Sequence, residues 1–125
     1  MKDQANQPDD IVRALCTAYC DAIHFSKPDV FQDLCHDNFV MFEMANGAVA
    51  NTWDKAAYLA RVAGRDAFPG TPSYKVLSVD MTSAEMARAH LWVDVPPKRY
   101  EDHLGFVFAD GSWKLLTKVF RTMEG

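Results

Sequence analysis

The chain has little concentrated positive charge. Its 13 Lys and Arg are outnumbered by 17 Asp and Glu, for a formal charge of −4, and no group of cations is denser than Lys98-Arg99. A surface that follows nucleic-acid phosphates needs a clustered basic patch, so no nucleic acid is expected as a partner. Long apolar runs are also missing: nothing approaches the roughly 20 residues that span a bilayer, and the opening MKDQANQPDD lacks the apolar core of a secretory leader. No membrane is expected, and the expected compartment is the cytoplasm. Cysteine is scarce, with only Cys16, Cys20 and Cys35. An odd count in apolar helical sequence suits free thiols in a reducing compartment better than a disulfide framework. There is no glycine-rich phosphate loop, no nucleophile elbow, no strong metal-ligand spacing and no internal repeat, so neither a cofactor nor a metal is expected.

What is present is about half apolar, enough for one hydrophobic core but not two at this length. Residues 1–125 therefore read as a single domain. Over residues 9–25, Ile11, Val12, Leu15, Ala18, Tyr19, Ala22 and Ile23 recur at spacings of three and four, the stripe of a helix lying on a flat surface, with Pro8-Asp9-Asp10 as its start signal. A second short helix begins at Pro28 and ends near His36. The strand FVMFEM follows, then the hairpin turn Asn46-Gly47 and its partner AVANTW. A third helix begins after Asp54 as N-cap and stops at Gly64. From Ser73 onward the pattern is strand-like throughout: SYKVLSVDMT, MARAHLWVDV, RYEDHLGFVFA and SWKLLTKVF, with connections short enough to make neighbours antiparallel. Helices first and a meander afterwards define an α+β domain in which helices cover one face of a curved antiparallel sheet.

A two-residue turn at Asp110-Gly111 sets a register for the last hairpin. It pairs Phe108 with Trp113, Phe106 with Leu115, Leu104 with Thr117 and Asp102 with Val119 on one face. The other face then carries Glu101, His103, Gly105, Val107, Lys114, Leu116, Lys118 and Phe120, too apolar for a solvated surface. With Trp92, it is expected to be a homodimer face. Asp102 is the informative residue, because a carboxylate aligned with Leu104, Phe106 and Leu115 is desolvated unless a pocket reaches it.

The stretch EDHLGFVFADGSWKLLTKVF, with ALCTAYCDAI, LCHDNFVMF and TWDKAAYLARV, resembles the lumazine-binding branch of the nuclear transport factor 2-like superfamily. The resemblance implies a cone of curved sheet wrapped around a long first helix, commonly a homodimer, with a cavity of varied use. A narrower likeness is to ketosteroid isomerase. Its catalytic tyrosine, carboxylate base and protonated aspartate would fall on Tyr19, Glu43 and Asp102, with glutamate standing where the isomerase has aspartate.

Each candidate has a plainer reading beside the functional one. Tyr19 is either a core tyrosine or a hydrogen-bond donor. Glu43 is a carboxylate at the pocket rim or a general base. Asp102 is a buried carboxylate bonded to a backbone amide or to Tyr19, or a group that touches ligand. Met41, Trp53, Tyr58, Leu104, Phe106, Trp113 and Thr117 are expected to line the pocket or its surroundings. Cys16, Cys20 and His24 recur every four residues, but one helix face seldom supplies more than two ligands to one ion. His90 and His103 fall opposite each other on the outer face and read as interface or surface histidines. Three functions follow: a small-molecule binding protein with a mostly apolar pocket; a cofactor-free isomerase, dehydratase or cyclase; or a protein-interaction module using the outer face.

Overall fold

The computed structural model describes residues 7–123; the polar opening residues 1–6, read above as containing no leader, lie outside the described residues. Helix α1 (Pro8–Phe25) starts with proline and with Asp9 and Asp10 in its first turn, and stops where Ser26 takes a left-handed conformation, φ 54°. Its buried stripe is Val12, Cys16, Tyr19, Cys20 and Ile23, while Ile11 is 38% exposed. The stripe is thus rotated slightly from the one expected, toward the cysteines. Helix α2 (Pro28–Leu34) buries Phe31 and Leu34.

Strands β1 (Cys35–Ala45) and β2 (Ala48–Asp54) form the first hairpin, and its turn has positive φ at both Asn46 and Gly47. Helix α3 (Lys55–Ala63) is capped by Asp54, whose carboxylate accepts from the Ala57 amide at 2.9 Å. Gly64 follows without adopting a left-handed conformation. The Lys55 ammonium donates to the carbonyls of Gln32 and Cys35, tying α3 to the end of α2. Strands β3 (Tyr74–Met81), β4 (Met86–Val95), β5 (Lys98–Ala109) and β6 (Ser112–Thr122) make the meander.

The six strands form one sheet in the order β2-β1-β6-β5-β4-β3. Every pair is antiparallel except β1 and β6, which run parallel, so the sheet is mixed. Helix α1 lies against β3 and β4, and α3 against β1 and β2, which closes the core on one face. That core contains Tyr19, Phe31, Phe39, Met41, Leu91, Leu104, Phe106 and Leu115.

The β5–β6 ladder departs from the expected register. Phe108 does face Trp113 and Phe106 faces Leu115, but a bulge then leaves Leu116 as an extra residue on β6. Beyond it Gly105 pairs with Thr117, Leu104 with Lys118, His103 with Val119 and Asp102 with Phe120. One extra residue reverses the face of everything after it. Thr117 and Val119, expected on the core side, therefore face outward, and Lys118 and Phe120, expected outside, are buried.

Candidate functional site

On the covered face, a narrow cavity opens between the end of α3 and strands β4 to β6. It is lined by Ile23, Met41, Tyr58, Arg61, Arg65, Val93, Val95, Tyr100, Asp102, Lys118 and Phe120. Free space inside is about 20 Å³, room for little more than one water. Asp102 is fully buried on β5. The Tyr19 phenol, from the middle of α1, donates to its Oδ2. Its Oδ1 is buried with no partner among the described residues.

Lys118 is 6% exposed. Its ammonium donates to the Tyr58 hydroxyl at 3.3 Å and lies 4.8 to 5.2 Å from the ring centres of Tyr19, Tyr58 and Phe120, within cation–π range. Among the described residues only one of its three N–H donors has a protein partner. Arg65 lines the same cavity, and its Nε is also buried without a partner among the described residues.

Burial pushes Asp102 above the ordinary carboxylate range, against the opposing pull of Lys118 and the Tyr19 hydrogen bond. Desolvation alone would lower Lys118, but the Tyr58 phenol and the Asp102 carboxylate outweigh it and hold the ammonium above its usual value. Burial, with Asp102 nearby, also raises Tyr19. The cavity is therefore one in which protons are held tightly, with an acid, an ammonium and two phenols in mutual reach.

Of the expected site residues, Met41, Tyr58 and Asp102 line this cavity, and Tyr19 stands directly behind Asp102. Trp53 stacks near Phe120 at 5.8 Å and under the Arg61 guanidinium at 4.9 Å, just outside the lining. Glu43 shares the core-side parity of Met41 but lies farther along β1, where its carboxylate accepts from the Asn51 side chain at 2.8 Å. Leu104 and Phe106 are buried core residues outside the cavity lining. Trp113 packs against Phe108 at the far end of the sheet, and Thr117 points to the outer face. Sequence reading missed Lys118, Arg61, Arg65 and Tyr100. The two arginines sit four positions apart near the end of α3, a spacing that would have set them on one side of the helix. His24 bonds the Gly70 carbonyl, away from Cys16, whose thiol burial pushes up to about 12.

A family model described as putative lumazine-binding matches residues 7–121. The chain belongs to this family. Solved structures place the family member within the nuclear transport factor 2-like fold. A nuclear transport factor 2-like protein of unknown function from Silicibacter pomeroyi is 19% identical, with a TM-score of 0.81 over 90% of this chain and 93% of that one. Another, from Shewanella baltica, is 11% identical, with a TM-score of 0.82 over the whole of both. A ketosteroid isomerase-like protein from Erwinia carotovora atroseptica is 17% identical, with a TM-score of 0.74 over 96% and 99%. At these identities the likeness is one of fold. No curated protein matches the chain.

Proposed function

We propose that this protein binds a small molecule through an anionic or carbonyl oxygen held in the Asp102–Lys118 cavity, and that it does so as a cytoplasmic homodimer. The carrying observation is that, among the described residues, three groups around one cavity have hydrogen-bonding capacity left over: Asp102 Oδ1, Arg65 Nε and the Lys118 ammonium. Buried polar atoms without partners cost folding free energy, and an oxyanion between Lys118 and Arg65 would satisfy both donors. The apolar wall of Ile23, Met41, Val93 and Phe120 suits a ring or short hydrocarbon attached to that oxygen. Because the free space is so small, only the polar end of a larger ligand enters without movement of the exposed Arg61 and half-exposed Arg65 side chains at the mouth. The three buried free cysteines support a reducing compartment, and no described helix is long and apolar enough to cross a membrane.

The test is calorimetric titration with benzoate, with lumazine and with inorganic phosphate, on the unaltered chain and on Lys118→Met. Saturable binding of benzoate or lumazine, weakened about tenfold or more in the variant, is expected. Equal affinity in both proteins would remove the cavity from consideration.

A second reading is favoured by the Tyr19–Asp102 hydrogen bond. In a cofactor-free isomerase, dehydratase or cyclase, Glu43 would take a proton from carbon beside a carbonyl. The electron pair would move onto the carbonyl oxygen, which Tyr19 and protonated Asp102 would stabilise. Glu43 would first have to leave Asn51. Incorporation of solvent deuterium beside the carbonyl of a bound ketone, abolished by Asp102→Asn, would favour this reading. Binding without exchange would leave only the first.

A further inference from the structure

On the opposite face of the sheet, away from the cavity, His90 and His103 are directly paired across β4 and β5, and Glu101 sits two residues from His103 on the same face. Their rings meet edge to face with centres 4.7 Å apart. His90 Nε2 is 2.7 Å from Glu101 Oε2, and His103 Nε2 is 3.9 Å from the same oxygen. One ligand atom from each residue can be chosen so that all three lie within 4.8 Å of one another. From these three side chains we infer a binding site for a first-row divalent transition ion, with zinc as the type case.

The ligand chemistry is two imidazoles and one carboxylate, a set that suits zinc, cobalt, nickel or copper and not magnesium or calcium, which prefer oxygen. Donors bound at about 2.0–2.1 Å to a tetrahedral ion lie about 3.3 Å from one another. The observed separations fall on either side of that figure, so small rotations of partly exposed side chains close the site. The backbone beneath is stiff, because β4 and β5 pair without a register break from Met86–Val107 to Val95–Lys98.

Glu101 is already oriented for the task. Arg121 donates to its other oxygen, Oε1, at 2.6 Å, leaving Oε2 turned toward the histidines, as outer partners of metal ligands commonly do. The His90 hydrogen bond and Arg121 hold the carboxyl below its ordinary range, so it is ionised at neutral pH. Arg121 also opposes a second cation, which limits the affinity. Three protein ligands leave one position open. Beside it lies a groove of about 430 Å³ bordered by Ser78, Asp80, Arg88, Gly105, Thr117 and Val119, so water or an added ligand can complete the shell.

The test is calorimetry with zinc chloride on the full chain, paired with the visible spectrum of the cobalt(II) form. Saturable zinc binding is expected, with magnesium chloride giving none, and His90→Ala, His103→Ala and Glu101→Gln should each lose about tenfold or more. All three side chains are partly exposed, so these variants should keep the circular dichroism of the parent. As a readout that needs no variant, zinc should shift the ring NMR signals of His90 and His103 and leave those of His36 in place. Zinc affinity unchanged in the His90→Ala/His103→Ala double variant would overturn the assignment. A cobalt spectrum with strong sulfur-to-metal charge transfer would also overturn it, by giving the ion to cysteine, as would no saturable binding.

Discussion

Asp102 is the residue whose environment constrains the site most. A carboxyl held above its ordinary range keeps its proton in the folded state at pH values where the unfolded chain has released it. The folded state then binds more protons, so the stability Asp102 contributes falls as pH rises between the unfolded value, near 3.8, and the folded one. Lys118 has the same sign in a separate window. Raised from 10.5, it contributes fully below that value and loses its contribution as pH climbs through the folded value. Asp102→Asn should flatten the lower window and narrow the upper one, because the Asp102 carboxylate is one of the groups that hold Lys118 up. Urea denaturation from pH 4 to 8 reads this directly, and the carboxyl carbon shift of Asp102 reads the titration itself. Lys118→Met removes the main influence that lowers Asp102, so the carbon titration should move higher; an unchanged titration would mean the two groups do not sense each other. The Tyr19–Asp102 pairing was legible from the sequence because each residue sits in an apolar pattern that leaves a polar group needing a partner. Lys118 was not, because its apparent face depends on a ladder that breaks before reaching it.

That break is the feature to test among the elements. Strand β6 is long and rich in strand-forming residues on both sides of Leu116, so nothing local marks the bulge. Period-two reading therefore held for Phe108, Trp113, Phe106 and Leu115, and failed for Thr117 onward. The helices were easier to read, since proline, Asp54 and the spacing of apolar residues act within one turn or two. Opposite the bulge, Gly105 has no room for a side chain: a Cβ there would sit 2.3 Å from Thr117 Oγ1. Gly105→Ala should cost about 1–3 kcal/mol through overpacking. Thr117→Ala should recover much of that, giving a coupling of about 0.5 kcal/mol or more in a double-mutant cycle followed by chemical denaturation. Strict additivity would mean that Thr117 rotates away without cost.

For the molecule as a whole, the outer sheet face carries Met86, 54% exposed, and Val119, 40% exposed, with Val107 and Leu116 half-buried beside them. Phe120 no longer belongs to that patch, and Trp92 is covered by the Arg99 guanidinium at 3.6 Å. The proposed homodimer therefore rests on a smaller and different set than the sequence indicated. Val119→Glu should dissociate it, because an unpaired buried charge costs on the order of 3 kcal/mol or more. Sedimentation velocity checks this, and a monomeric parent would end the proposal. The antiparallel meander could be read from its short connections, whereas the parallel contact of β1 with β6 joins segments far apart in the chain and leaves no local trace. That contact also governs the order of assembly. Strand β6 lies between β1 and β5, so the β1–β2 ribbon and the β3–β5 meander share no ladder until residues 112–122 have been synthesised. Until then each half presents an open edge, and folding must wait for a long loop to close. Slow, late-committing folding is the expected consequence. A chain stalled before Ser112 would offer two strand edges to its neighbours, making it a substrate for chaperones or a seed for aggregation.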